Sequence, residues 1–243
     1  MSNFILRERV GEVTTITINR PDIGNRVSDS MAVELTDMID NAAKDSHLIL
    51  LKGAGDEFCL GRETMGHRAP GPLPEAYVLR EKINVIFDTY AAFRRSNVPV
   101  VGVVQGRAVG FGCALAALCD ITVASDRATF QLPEMAHNIM PTIAMSALVD
   151  RVPRKALMYL VYSTDEVDAT LALSFGLVSL VVPAAQLASA VDHLVTTMKN
   201  SPKPAVMALK EYARSALRMD TQAANDFARN LHATINSSST MHP

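Results

Sequence analysis

The segment from Val98 to Asp120, VPVVGVVQGRAVGFGCALAALCD, constrains the fold of this chain more than any other stretch. Val100, Val101, Val103 and Val104 form a β-branched run behind Pro99, the pattern of a strand covered on both faces. Gly106, Gly110 and Gly112 then allow a sharp turn and a close backbone approach, and Cys113 to Leu118 continues as an apolar helix. The first N–H groups of such a helix lack internal acceptors. With the helix dipole they can stabilise an anion or a developing oxyanion. Two other readings compete. A glycine turn can serve packing alone. Gly102, Gly106 and Gly110, four apart, also match a small-residue membrane-helix pattern, but Pro99, Gln105 and Arg107 argue against it, since an arginine near mid-membrane costs about 2.5–3.5 kcal/mol on insertion scales.

With 243 residues, 49% hydrophobic and 20% charged, the chain can bury a large core as one domain, or as one domain with a helical extension. A formal net charge of -2 gives no long-range attraction for nucleic acid, so any phosphate-bearing ligand must be held by a local basic cluster. Aromatic residues make up 5% and Trp is absent, leaving little material for base stacking. Cys59, Cys113 and Cys119 lie in apolar contexts without paired spacing, and the start MSNFILRERV lacks a signal-like organisation, so a cytoplasmic location is expected. None of the six histidines pairs with another at metal-ligand spacing, and no metal site is expected.

Phe4 to Val10 and Val13 to Asn19 flank Gly11-Glu12 and predict a hairpin. Ser28 caps a predicted helix from Asp29 to about Lys44, followed by a buried strand at Leu48 to Leu51. The glycine- and proline-rich stretch from Gly53 to Pro74 reads as a binding loop before a helix over Glu75 to Arg95. Strands are predicted at Ile121 to Ala124, Ala128 to Phe130 and Leu177 to Val182, with a helix over Val167 to Phe175, so strands and helices alternate in an α/β arrangement. Helices follow over Ala184 to Lys199, Pro204 to Arg218 and Thr221 to Ile235, and the tail from Asn236 to Pro243 is expected to be disordered. The apolar faces of these helices suggest oligomerisation.

Taken in order, INRPDIGNRVS, GAGDEFCLGRE, VVGVVQGRAVGFGCALAALCDITVAS, FQLPE with Pro141, and TDEVDATLALSFGLVSLVVP resemble the enoyl-CoA hydratase/isomerase family, the crotonases, over about residues 4 to 217. The resemblance implies an α/β fold with a crotonase-like core of repeated ββα turns in a spiral at residues 1–183. It also implies a helical C-terminal oligomerisation region at 184–235, assembly as a homotrimer or dimer of trimers, and a CoA thioester as ligand. CoA travels with the substrate, so no separate cofactor is implied. The thioester carbonyl would sit between two backbone N–H groups, those of Arg62 after Gly61 and of Phe111 between Gly110 and Gly112. The family carries glycine where Phe111 stands.

Family hydratases use two glutamates. The first aligns with Ala114 and is missing; the second aligns with Glu134 of FQLPE. One carboxylate can move a proton between two carbons, whereas adding water needs a second group, so double-bond isomerisation is favoured over hydration. Beside Met135, Ile139 and Met140, the expected acyl-pocket residues, burial would raise the pKa of Glu134 and suit it to proton transfer. His137 and Glu63 are the candidates for a second acid/base, which would restore a hydratase, although Glu63 reads more simply as a loop-stabilising acid. Asp120 reads as structural, and Asp56 and Glu57 as solvated loop charges. The family's basic pair before its asparagine corresponds to Ile23 and Gly24, which leaves Arg26, Arg62, Arg68 and Lys210 as candidate CoA contacts. Ala144 and Met145 replace the paired glycines after Pro141. A binding protein that kept the fold without the chemistry, and a scaffold acting only through its helices, are the readings outside catalysis.

Overall fold

The computed structural model describes residues 3–63 and 74–241. The chain opens with strands β1 (Ile5–Val10) and β2 (Val13–Ile18), paired antiparallel from Val10↔Val13 to Ile5↔Ile18 around Gly11-Glu12. In β2 the even alternation puts Ile16 and Ile18 in the core and leaves Thr15 and Thr17 half-buried. Helix α1 (Asp29–Asp45) starts where Ser28 accepts from the Met31 N–H, and buries Met31, Leu35, Ile39 and Ala42 at helical spacing. Strand β3 (Leu48–Gly53) follows, then α2 (Ala76–Arg95), β4 (Val100–Val104), β5 (Arg107–Val109) and α3 (Phe111–Leu118). Next come β6 (Ile121–Ser125), β7 (Thr129–Gln131), a 3-10 turn at Glu134–His137, α4 (Thr142–Leu148) and α5 (Arg154–Ser163). The chain then adds β8 (Val167–Asp168), α6 (Ala169–Ser174), β9 (Leu180–Val182) and helices α7 (Leu187–Lys199), α8 (Lys203–Ala216) and α9 (Thr221–Asn236).

Six strands form one sheet in the order β1-β2-β3-β4-β6-β9, parallel from β2 onward. Three short strands, β5-β7-β8, form a second. Leaving β4 and again leaving β6, the chain contributes its next strand to the small sheet, so β5 and β7 pair in parallel from Arg107↔Thr129 to Val109↔Gln131. This alternation brings the turns after β5 and β7 together. The valine run of β4 is covered on both faces, with Val100 and Val104 in the main core and Val101 packed with Val123, Leu187 and Val191. Helix α7 thereby shares a core with the large sheet and is not a separate body, whereas α9 buries no residue.

Several expectations are corrected. Val167 and Asp168 pair with β7 before α6, because Asp168 caps the helix by accepting from the Leu171 N–H at 2.7 Å. The strand expected from Leu177 is shortened to Leu180–Val182, and α4, α5 and the three-residue β5 were not anticipated. The tail is not disordered where it is described: Asn236 completes α9 and a 3-10 turn follows at Ser239–Met241.

Candidate active site

The loop after β3 is held from inside. Asn25, buried at φ 57°, donates through Nδ2 to the carbonyls of Ala54 at 2.8 Å and Glu57 at 2.7 Å and accepts from the Arg20 N–H at 2.9 Å. Gln105 adds bonds from Nε2 to the carbonyls of Gly53, Gly55 and Glu57. Glu57 is not a solvated charge: it accepts from the backbone, Nε and Nη2 of Arg107, which hold its carboxyl below the usual carboxylate range. Asp56 is exposed, as expected.

From this anchored loop the chain reaches Gly61, whose φ of 98° is open to glycine and strained for other residues. The Val27 N–H donates to the Gly61 carbonyl at 2.9 Å and the Glu63 N–H to the Val27 carbonyl at 3.1 Å. In such a parallel bridge the intervening Arg62 N–H faces the opposite edge, away from Val27. The second loop lies against the first. Val109 donates to the Cys59 carbonyl at 2.9 Å and Gly110 to the Gln131 carbonyl at 2.8 Å, and a Cβ on Gly112 would overlap the Cys59 carbonyl, so only glycine allows α3 this close. Phe111 is the first residue of α3, and its N–H therefore has no intrahelical acceptor.

A cavity of about 120 Å³ lies between these loops. Arg62, Phe111 and Glu134 all line it, together with Ile139, Met140 and Pro141. Glu134 stands in the 3-10 turn after β7, 8% exposed, with Oε2 buried and without a hydrogen-bond partner among the described residues. Burial raises its pKa above the usual 4.5. Ala114 is fully buried and supplies no second acid.

Sequence reasoning missed Tyr90. It follows Ile86 by four residues on the buried stripe of α2, and so reads as ordinary core. Yet it lines the cavity, 2% exposed, with its ring stacked on Phe111 at 5.8 Å and 18°. Its hydroxyl makes no hydrogen bond to a described residue, and burial, with the neighbouring Glu134 charge, pushes its pKa upward. The available signal was a phenol on a mostly apolar helix face.

Other expected site residues lie elsewhere. Met135 and His137 are exposed and outside the cavity, and Glu134 is the one buried residue of their 3-10 turn. Glu63 pairs with Arg20, which fits its reading as a loop-stabilising acid. Lys210 is a structural lysine, its Nζ donating to the carbonyls of Phe93 and Val98 and to Asp120. Asp120 also accepts from the Val100 N–H at the start of β4, in agreement with its structural reading. Arg26 donates to the Leu60 carbonyl at 2.9 Å and Arg62 to Asp29 at 2.5 Å; both are half-buried. Arg68 lies outside the described residues. Among the described residues no group of three or more His, Cys, Asp or Glu could hold a metal ion, and no helix is long and apolar enough to cross a membrane.

The family model for enoyl-CoA hydratase/isomerase matches residues 8–242. The short-chain-enoyl-CoA hydratase of Clostridium acetobutylicum is 26% identical over 234 residues, which cover 93% of this chain and 86% of that protein. The crystal structure of an enoyl-CoA hydratase from Mycobacterium smegmatis superposes with a TM-score of 0.90 at 27% identity, covering 100% of this chain and 93% of that one. A Thermobifida fusca structure in complex with CoA gives a TM-score of 0.88 at 27% identity, covering 96% and 93%.

Proposed function

The chain belongs to the enoyl-CoA hydratase/isomerase family, and from that premise we propose that this enzyme moves the double bond of an acyl-CoA thioester, with Glu134 as its acid/base. The thioester oxygen lies between the Arg62 and Phe111 N–H groups, placed where negative charge develops on that oxygen. Glu134 breaks the C2–H bond of a 3-enoyl chain, the electron pair passes into the thioester carbonyl as a dienolate, and the same carboxyl returns the proton to C4 as the double bond moves to C2–C3. The observation that carries this reading is that buried Glu134 lines the cavity with an Oε2 that has no hydrogen-bond partner among the described residues, and that Ala114 stands where a second carboxylate would. Its raised pKa makes the carboxylate a stronger base for removing the C2 proton.

Arg26, tied to the loop beside Arg62, is a candidate contact for the CoA phosphates, and Arg68 and Arg62 are others. The repeated ββα turns of a spiral core fit the alternation of β4–β5 and β6–β7 between the two sheets. Self-association as a trimer or dimer of trimers is supported by α8 and the turn after it, where Leu209 is 70% and Leu217 81% exposed. A monomer by light scattering at micromolar concentration contradicts that assembly.

One observation favours hydration as a second reading. Tyr90 and Glu134 line one cavity, neither the Tyr90 hydroxyl nor Glu134 Oε2 makes a hydrogen bond to a described residue, and a water there could accept from the first and donate to the second. Proton exchange tests the step common to both readings. Butyryl-CoA incubated in D2O should gain deuterium at C2 with the wild type and not with Glu134→Gln. No gain with the wild type contradicts the proposed enolate.

A further inference from the structure

We infer that the stacked rings of Tyr90 and Phe111 form the closed end of the acyl pocket and restrict the enzyme to short acyl groups, of about four or five carbons. The inference rests on the acyl-CoA reading above and specifies its substrate class.

Size is the first observation. The cavity between the loops measures about 120 Å³, against roughly 150 Å³ for an apolar cavity that holds one benzene molecule. On that scale it takes about five non-hydrogen atoms, the number in a butyryl group counted with its carbonyl oxygen.

Rigidity is the second. Phe111 is the first residue of α3, whose following Gly112 is pressed against the Cys59 carbonyl, so its backbone has no room to retreat. Tyr90 is held on α2 between Phe111, stacked at 5.8 Å, and Phe87, edge-on at 6.5 Å. Interiors packed in this way do not stretch to admit extra methylenes without strain. Ile86, fully buried on the same helix, and half-buried Ile143 add to the lining among the described residues.

The placement of a phenylalanine at residue 111 then has a steric consequence as well as a backbone one. The N–H that would meet the thioester oxygen is carried by a residue whose ring, braced by Tyr90, occupies space a longer chain would need. Chain length is thus selected by the same residue that polarises the carbonyl.

Binding of CoA and of acetyl-, butyryl-, hexanoyl- and octanoyl-CoA, measured by calorimetry without turnover, tests the inference. In an open apolar pocket each added methylene tightens binding about fourfold. The wild type is expected to follow that trend to butyryl-CoA and then to lose at least tenfold by octanoyl-CoA. Tyr90→Ala should move the break two or more carbons longer, while Tyr90→Phe, which keeps the ring, should leave it in place. Should Tyr90→Ala fail to fold, Ile143→Ala opens the same cavity from a half-buried position and should move the break in the same direction. Affinity that climbs through octanoyl-CoA in the wild type overturns the inference, as does an unmoved break in a folded Tyr90→Ala or Ile143→Ala. If neither CoA nor any thioester binds the wild type, the acyl-CoA reading itself fails and the inference falls with it.

Discussion

Lys210 Nζ lies 2.8 Å from Asp120 Oδ2, and the same carboxylate oxygen accepts from the Val100 N–H at 2.8 Å. The pair ties α8 to the entrance of β4, some distance in sequence from either loop of the cavity. Removing one member of a buried ion pair leaves the other charge unpaired, at a cost of about 3–5 kcal/mol. Lys210→Met is therefore expected to lose about 3 kcal/mol in urea unfolding while changing the Kd for CoA less than twofold. A folded variant of normal stability that binds CoA tenfold more weakly returns Lys210 to the ligand site.

Glu134 links stability to activity through its proton. Burial raises its carboxyl above 4.5, so the folded state keeps the proton to higher pH than the unfolded chain does. Its contribution to stability is thus fully present below the unfolded value and is lost as pH rises through the folded one. Glu134→Gln should melt at a higher temperature than the wild type at pH 7 to 8, with the gap closing as pH falls. The wild-type kcat/KM should rise with pH through an apparent pKa above the usual carboxylate value, since proton removal needs the ionised form.

Asn25 combines a positive φ with two hydrogen bonds to the loop that leads to Gly61 and one accepted from the Arg20 N–H. Asn25→Ala removes the side-chain partner of the Ala54 carbonyl and of the Arg20 N–H, leaves the Glu57 carbonyl to Gln105 alone, and places alanine in a conformation it disfavours, for a loss of about 2–4 kcal/mol. If the loop delivers an oxyanion donor, kcat should fall by more than tenfold in the folded variant. Unchanged turnover at reduced stability would show that the Arg62 N–H is not used.

The three thiols are inert by position. Cys59, Cys113 and Cys119 are all buried, and burial pushes Cys59 up to about 12 and the other two up as well. An aromatic disulfide reagent should label none of them in the native protein within minutes and all three in denaturant. Rapid native labelling at neutral pH would contradict this packing.

Much of this was legible in the sequence because the determining features were local. The valine run, the Ser28 cap and the glycine pair around Phe111 announce β4, α1 and the entrance to α3 by rules that need no tertiary information. Glu134, Arg62 and Phe111 converge in the cavity, as the order of motifs implies. What escaped depended on pairing and direction. Val167 reads as the start of a helix until β7 offers it a partner. Lys210 resembles a ligand contact until two carbonyls and a carboxylate are found around its ammonium group. Met135, next to Glu134 in sequence, turns outward because a 3-10 turn separates neighbours by about 120°, while His137, three residues on at the end of that turn, is exposed although the spacing alone would align it with Glu134. Tyr90 was hidden by the apolar stripe that carries it.

The central claim is that Glu134 alone moves a proton between two carbons of a CoA thioester. Following conjugated enoyl absorbance with 3-butenoyl-CoA and 2-butenoyl-CoA in parallel, for the wild type and Glu134→Gln, tests it most directly. Absorbance should rise from the 3-enoyl substrate with the wild type, by at least a hundredfold faster than with Glu134→Gln. Silence with the 3-enoyl substrate alongside loss of absorbance from the 2-enoyl one, or equal turnover in the two proteins, would contradict it.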